Sequence, residues 1–176
     1  RQVLINIVNQ LRNENLKAIV APELEFYLCE QNLDPDLPLK TPVGKSGRRE
    51  TGSRVFGIDA VNEFDALTDD IYDYCELMEI GVDTLVHESG PSQIEINLNH
   101  GDPLALADQA FMFKRAVRQV ALKHGIHATF MAKPYQGQPG SSMHIHQNLV
   151  CTKKNKNLFF DNKGNNSKEF LHYIGG

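Results

Sequence analysis

The feature that most constrains the fold is a two-residue alternation of apolar and polar side chains in short segments. Gln93–Leu98 reads QIEINL, with three polar side chains on one face and three aliphatic ones on the other. Residues 21–28 read APELEFYL, in which Glu23 and Glu25 alternate with large apolar side chains. Because successive side chains of a strand point to opposite faces, both segments are predicted to be strands with one apolar and one acidic face.

Acidic residues inside such strands need an explanation, because burying a carboxylate is costly unless it is paired or bound to a cation. Glu88 in LVHES and Glu95 in PSQIEINL add two acids to the pair in APELEFYL. For a single pair, a solvated strand face is the simpler interpretation. Four carboxylates on neighbouring strands, together with a histidine, suit Mg²⁺ or Mn²⁺ better than Zn²⁺. Two such cations would neutralise the repulsion between the acids and attract phosphate oxygens.

Residues 133–149, KPYQGQPGSSMHIHQNL, join a loop of small and polar residues to a second alternating strand. His144, His146 and Asn148 are two residues apart, so they are predicted to share one face of that strand. Backbone N–H groups of the loop can approach a phosphate closely, and a neutral imidazole can hold a metal. The alternative is an exposed hairpin strand whose two histidines only face water.

Composition excludes several classes of protein. The 176 residues have room for one domain with a sizeable core, and 41% hydrophobic with 23% charged residues is ordinary for a globular protein. A net charge of −4 leaves no basic surface for nucleic acid or for a membrane. Three widely spaced cysteines (Cys29, Cys75 and Cys151) favour a reducing, cytoplasmic location. The sequence contains no transmembrane-length apolar run, no signal peptide and no Walker, GxGxxG, GxSxG or HExxH motif.

The remaining spacings predict a mixture of helices and strands. The predicted elements, in chain order, are an opening amphipathic helix, a strand over residues 17–29, an irregular stretch over 30–54, a helix over 61–80, strands over 82–86 and Gln93–Leu98, a helix from Asp102-Pro103 to Gly125, a strand over 126–131, a strand over 143–149, a polar turn over 153–157, a short strand over 158–160 and a helix capped by Ser167.

Three motifs, in this order and at these separations, resemble the catalytic domain of the glutamine synthetase family: APELEFYL, HESGPSQIEIN and KPYQGQPGSSMHIHQ. Within the family they are most similar to the branch of gamma-glutamylputrescine and related gamma-glutamyl-polyamine synthetases. The resemblance implies an α+β fold, in which a curved, mostly antiparallel sheet has helices packed on its outer face. It also implies that residues 1–176 are the central part of a longer chain, without its small N-terminal domain and its C-terminal part.

The resemblance implies two metal sites for Mg²⁺ or Mn²⁺. Glu25, Glu88 and Glu95 would hold the metal nearest to glutamate. Glu23 and His144 would hold the metal on the phosphates of ATP. These are the five metal-binding residues that the resemblance assigns.

The resemblance also implies which residues contact the substrates. His146 would contact the transferring phosphate and is the expected catalytic residue. Asn148 would lie beside the nucleotide, and His100 would stack on adenine. Gly140 would lie against the amino-acid substrate through its backbone. Pro139 stands where ammonia-using members have an asparagine that binds glutamate.

The implied reaction transfers the terminal phosphoryl group of ATP to the side-chain carboxylate of L-glutamate. Ammonia or an organic amine then attacks the gamma-glutamyl phosphate, and Pro139 makes an organic amine at least as good a candidate. The full-length enzyme is expected to be a ring-forming homo-oligomer, and this fragment is expected to be inactive alone. The alternatives are a guanidino-kinase-like phosphotransferase and a non-catalytic relative that keeps the fold for structure or binding.

Overall fold

The chain contains both helices and strands, as the mixture of helical and two-residue spacings predicts. The computed structural model describes residues 1–52 and 54–175. Its elements are α1 (Gln2–Asn13), β1 (Leu16–Glu30), α2 (Ile58–Asn62), α3 (Asp65–Leu77), β2 (Val82–His87), β3 (Gln93–Leu98), α4 (Pro103–Lys123), β4 (Ile126–Thr129), β5 (Met143–Cys151), β6 (Lys156–Asn157) and α5 (Lys168–Ile174).

The chain divides into two units, and β1, α4 and β5 each continue from one into the other. Unit 1 contains Arg1–Ala21, His100–Asp108 and Ile145–Gly176. Unit 2 contains Pro22–Asn99 and Gln109–His144. The strand pairs in both units are antiparallel. The predicted α+β class is confirmed.

The core of unit 2 lies on the apolar face of β1 and β3. Strand β3 pairs with both β2 and β1, and β4 pairs with the end of β1. The buried ring of Phe26 on β1 lies 5.1 Å from that of Phe130, and Phe113 of α4 packs edge-on against the same ring at 6.4 Å. Helix α4 therefore covers the apolar face, and the acids at odd-numbered positions of β1 are left on the opposite face.

Backbone pairing and an ion pair connect separate segments of unit 1. Val20 and Gly101 form an isolated antiparallel bridge through two backbone hydrogen bonds of 3.1 and 2.8 Å. Strands β5 and β6 form a hairpin. Arg1 donates to both carboxylate oxygens of Asp108 at 2.8 to 3.2 Å, which links the start of the chain to the first part of α4.

The predicted single helix over residues 61–80 is wrong, because the chain breaks it at Glu63 and Phe64 into α2 and α3. The reason is a tertiary contact that the apolar spacing does not show. The carbonyl oxygen of Glu63 accepts a hydrogen bond from the backbone N–H of Lys45 at 3.0 Å, and its carboxylate accepts from the Ser46 N–H at 3.0 Å. These bonds take the place of helical ones at the break.

The predicted strand over residues 158–160 is also wrong, since the paired segment is β6 at Lys156–Asn157. The side-chain oxygen of Asn157 accepts the backbone N–H of Phe159 at 2.9 Å, which turns the chain away from the sheet. The strand over residues 126–131 ends early, at Thr129, whose hydroxyl accepts the N–H of Met131 at 3.2 Å. Within the described residues, no helix is long and apolar enough to cross a membrane.

Helix α4 begins where the Asp-Pro pair predicts. Oδ1 of Asp102 accepts the backbone N–H groups of Leu104 and Ala105 at 3.0 and 3.2 Å, and Pro103 occupies the first helical position. The helix continues for 21 residues. Asp102 is thus the N-cap of the longest helix in the described chain.

Replacing Asp102 with alanine is expected to lower the free energy of unfolding by about 1 kcal/mol, because two N–H groups lose their acceptor. Urea denaturation followed by circular dichroism measures this difference. Asp102→Asn is the matched control, since an asparagine oxygen also caps a helix, and it should lose only a small part of that amount. Equal losses in the two variants would contradict the capping role.

Candidate functional site

The polar faces of β1 and β3 lie side by side in unit 2. Antiparallel pairing brings three pairs of polar side chains directly opposite one another on that face. They are Glu23 with Asn97, Glu25 with Glu95, and Tyr27 with Gln93. The two-residue alternation thus becomes a continuous polar strip, which we call the acidic face.

The central pair of the acidic face consists of two buried carboxylates. Glu25 and Glu95 are each only 8% exposed, and like charges directly opposite in an antiparallel pair repel. The pKa of Glu95 is raised, first by burial and then by the charges of Glu23 and Glu88. A hydrogen bond from Asn97 opposes this shift without cancelling it. At Glu95, the hydrogen bonds therefore do not compensate for burial and the neighbouring negative charges.

Glu25 is oriented by neighbouring donors. Its Oε2 accepts from the backbone N–H of Ser142 at 3.1 Å and from Nε2 of Gln93 at 3.0 Å. Its Oε1 accepts from the hydroxyl of Ser142. A carboxylate has about four lone-pair positions, so these bonds fix its direction and still leave room for a cation.

The imidazole of His144, the second residue of β5, lies beside these acids. Its Nδ1 lies 3.2 Å from Oε2 of Glu23 and 3.9 Å from Oε1 of Glu25. Glu23, Glu95 and His144 each offer one ligand atom, and the three atoms lie within 4.8 Å of one another. The imidazole is 61% exposed, whereas the acids are more buried, so the group is accessible from one side.

Glu88 follows the end of β2 and lies outside that group of three. Its Oε2 accepts the backbone N–H of Ser89 at 3.2 Å. Its charge raises the pKa of both Glu95 and Tyr27, so it lies close enough to act on the acidic face. Of the five predicted metal ligands, three come together closely, Glu25 lies 3.9 Å from one of them, and Glu88 lies at the edge.

Unit 1 contains a cavity of about 300 Å³ that brings together the three residues predicted to lie near the nucleotide. His100, His146 and Asn148 line it with Ile19, Val20, Ala21, Val150 and Asn157. Nδ2 of Asn157 donates to Oδ1 of Asn148 at 2.8 Å, which orients that amide. The cavity has an aliphatic wall from β1 and polar groups on β5, a combination that suits a small, partly apolar ligand.

The loop that precedes His144 carries Pro139 and Gly140, the predicted substrate-binding positions, and it is attached to the acidic face. The hydroxyl of Tyr27 donates to the carbonyl oxygen of Pro139 at 2.8 Å. Nε2 of Gln93 donates to the carbonyl oxygen of Gly140 at 3.0 Å. A Cβ on Gly140 would lie 2.9 Å from the carbonyl oxygen of Ala132, so this position requires glycine.

Sequence reasoning did not assign roles to four residues of this region. Tyr27 and Gln93 each lie two positions from a predicted ligand, so extending the alternation by one step would have found them. The buried imidazole of His87 lies 2.8 Å from Oε2 of Glu50 through Nε2, and its Nδ1 donates to the carbonyl oxygen of Glu88 at 2.8 Å. No spacing rule joins residues 50 and 87.

The family of the chain follows from comparison with known proteins. The family described as "Glutamine synthetase, catalytic domain" matches residues 1–176. The chain belongs to the glutamine synthetase family. The resemblance carried by the three motifs is therefore confirmed.

Two curated relatives place the chain within this family. It is 41% identical over 178 residues to gamma-glutamylputrescine synthetase PuuA of Escherichia coli and 34% identical over 176 residues to glutamine synthetase of Pyrococcus abyssi. Both matches include all of this chain but only 38% and 37% of the relative. The chain thus spans less than two fifths of the length of these glutamine synthetase relatives.

Solved structures of glutamine synthetase relatives share the fold. An apo GmaS structure matches with a TM-score of 0.75 at 26% identity, over 90% of this chain and 36% of the other. The Plasmodium falciparum glutamine synthetase matches with a TM-score of 0.76 at 24% identity, over 98% of this chain and 38% of the other, which shows the fold alone.

Replacing Glu95 with glutamine is expected to stabilise the protein in a chelating buffer at pH 7 by roughly 0.2–1 kcal/mol, because a like-charge pair is removed. The raised pKa of Glu95 means that the charged form is disfavoured in the folded state. Ionisation of Glu95 therefore lowers the free energy of unfolding of the wild type as pH rises through and above the ordinary value of 4.5. The stability advantage of the glutamine variant should vanish well below that pH.

Urea denaturation at pH 7 and at low pH, with chelator and with Mn²⁺, measures both effects. Mn²⁺ should stabilise the wild type more than the glutamine variant, since one ligand is missing. Glu76→Gln, on the exposed side of α3, is the matched control. A Glu95→Gln protein that is less stable than wild type in chelator at pH 7 would contradict the repulsion.

Proposed function

We propose that this chain is the central part of an ATP-dependent carboxylate–amine ligase that forms a gamma-glutamyl amide through gamma-glutamyl phosphate. The observation that carries the proposal is the acidic face, where the buried carboxylates of Glu25 and Glu95 lie opposite each other beside Glu23 and His144. Membership of the glutamine synthetase family supports the reaction class.

The donor set of the acidic face fits two Mg²⁺ or Mn²⁺ ions. Glu25, Glu88 and Glu95 would hold one, and Glu23 with His144 would hold the other. Carboxylate oxygens are the ligands these hard cations prefer, and the raised pKa of Glu95 shows a charge surplus that a cation would relieve. When bound, the ions neutralise the carboxylate and phosphate charges that must approach each other.

The protein residues then position the two anionic substrates. His146 is proposed to contact the transferring phosphate, and an imidazole can donate to its oxygens. Asn148 and His100 are proposed to contact the nucleotide, which the cavity in unit 1 supports. A histidine at position 100 can stack on adenine, although its ring is smaller than that of other aromatic residues.

The loop at Pro139 and Gly140 is proposed to bind L-glutamate through its backbone. Proline has no amide side chain and no backbone N–H to offer the substrate. The 41% identity to a relative named for putrescine supports an organic amine, rather than ammonia, as the acceptor. A diamine would need a longer groove with an acid at its far end and an apolar wall for its methylene groups.

Further parts of the enzyme are proposed to lie outside these residues. Relatives are more than twice as long, which supports a complete protein with an N-terminal small domain and a C-terminal part. We propose that residues 1–176 are inactive alone and that the complete enzyme is a ring-forming homo-oligomer. The three free cysteines support a reducing, cytoplasmic location.

The test is phosphate release by the complete protein with Mg²⁺-ATP, L-glutamate and either putrescine or ammonia at matched concentrations. Release should require glutamate and an amine, and kcat/KM should be higher for putrescine. Glu25→Gln should lower kcat at least 100-fold because a metal ligand is lost, whereas Glu76→Gln should leave it unchanged. Residues 1–176 alone should give no release above the background of ATP hydrolysis.

Two outcomes of this assay would contradict the proposal. A kcat/KM for ammonia above that for every amine tried would make the enzyme an ammonia-using glutamine synthetase. Phosphate release that needs no glutamate, or that survives in the Glu25→Gln variant, would reject the ligase reaction at this site.

A further inference from the structure

The third cross-strand pair of the acidic face, Tyr27 with Gln93, has no metal-binding role. Tyr27 is 0% and Gln93 1% exposed, so both polar ends are held away from solvent. Buried polar groups need hydrogen-bond partners, and these two find them on successive carbonyl groups of one loop. The pair therefore connects the sheet to Pro139 and Gly140.

The Tyr27 contact is a neutral hydrogen bond. A carbonyl oxygen can only accept a hydrogen bond, so the Tyr27 hydroxyl is the donor in its 2.8 Å contact with the carbonyl oxygen of Pro139. A Cβ at position 90 would lie 1.9 Å from this hydroxyl. Only glycine at this position in the turn before β3 therefore leaves room for the tyrosine ring.

The Gln93 amide can have only one orientation. Its Oε1 accepts the backbone N–H of Gly90 at 2.9 Å, and a backbone N–H can only donate. Its Nε2 must then point the other way, where it donates to Oε2 of Glu25 and the carbonyl oxygen of Gly140, both at 3.0 Å. The hydroxyl of Ser141 lies 3.3 Å from the same nitrogen.

We propose that Tyr27 and Gln93 act together as a clamp, a pair of positioning residues that holds the Pro139-Gly140 backbone in the orientation that binds glutamate. This inference rests on the proposed function and deepens it. Because Gln93 bonds both Gly140 and Glu25, the clamp fixes the substrate loop and a metal-binding carboxylate relative to each other.

Binding energy explains why such a clamp matters. A loop that contacts substrate through its backbone loses affinity when its peptide groups can rotate, since ordering them must then accompany binding. Pro139 cannot donate a backbone hydrogen bond, which leaves its carbonyl oxygen as the only main-chain group available for anchoring it. The clamp uses this group and the next carbonyl along the chain.

The experiment measures steady-state kinetics of the complete enzyme with Tyr27→Phe and Gln93→Met, which remove the donors and keep similar shapes. Tyr27→Phe should raise the KM for glutamate roughly two- to tenfold, the effect of one hydrogen bond. Its kcat and its KM for ATP should change less than twofold. Gln93→Met should raise the KM for glutamate more than about tenfold, because the four side-chain hydrogen-bond contacts of Gln93 are lost.

Matched controls separate the clamp from general packing. Tyr135→Phe removes a hydroxyl from the ring that packs 5.1 Å from Tyr27, but that hydroxyl reaches the Leu28 carbonyl at 3.5 Å instead. Gln119→Met makes the same substitution at an exposed position of α4. Neither control should change the KM for glutamate more than twofold.

Hydrogen exchange of a peptide covering residues 135–142 gives a readout that needs no activity. Without substrates, exchange should be faster in both clamp variants than in wild type and in Tyr135→Phe. Unchanged exchange in a folded Tyr27→Phe protein, or faster exchange with an unchanged KM for glutamate, would overturn the clamp. A wild type without glutamate-dependent turnover would instead reject the proposed ligase, while the exchange data would still report on the loop.

Discussion

The buried pair of carboxylates at Glu25 and Glu95 is the constraint on which the rest of the site depends. Antiparallel pairing places two like charges directly opposite each other, an arrangement that destabilises the sheet by itself. The pairing nevertheless holds, because the other face of the same strands carries the core that packs against α4 through Phe130. Hydrophobic burial on one face thus enforces electrostatic strain on the other, and a cation is the simplest compensation.

The surroundings orient these acids without neutralising them. Ser142 and Gln93 donate neutral hydrogen bonds to Glu25, and Asn97 donates one to Glu95. Such donors fix a carboxylate while they preserve its negative charge, which is what a metal ligand requires. The same donors belong to the loop and strand that carry the proposed substrate contacts, so the proposed metal site and the proposed glutamate site would share one set of supports.

The alternating pattern of β1 and β3 was sufficient to predict the acidic face, because a strand's side chains alternate whatever its neighbours are. It could not show that Tyr27 lies opposite Gln93, since register depends on pairing between distant segments. Local spacing also could not predict the contact between Glu50 and His87 or the helix break at Glu63, because both depend on contacts between distant segments. Local spacing also placed the start of β6 two residues too far along the chain. The strand ends at Asn157, whose side-chain oxygen accepts the backbone N–H of Phe159.

The central claim is that the acidic face binds divalent cations, and anomalous diffraction tests it most directly. Crystals of the complete protein grown with Mn²⁺ and measured at the manganese absorption edge should show one anomalous peak within bonding distance of Glu23 and His144. A second peak should lie within bonding distance of Glu25, Glu88 and Glu95. Density elsewhere on the protein, with none at the acidic face, would contradict the account and leave the carboxylates to share protons instead.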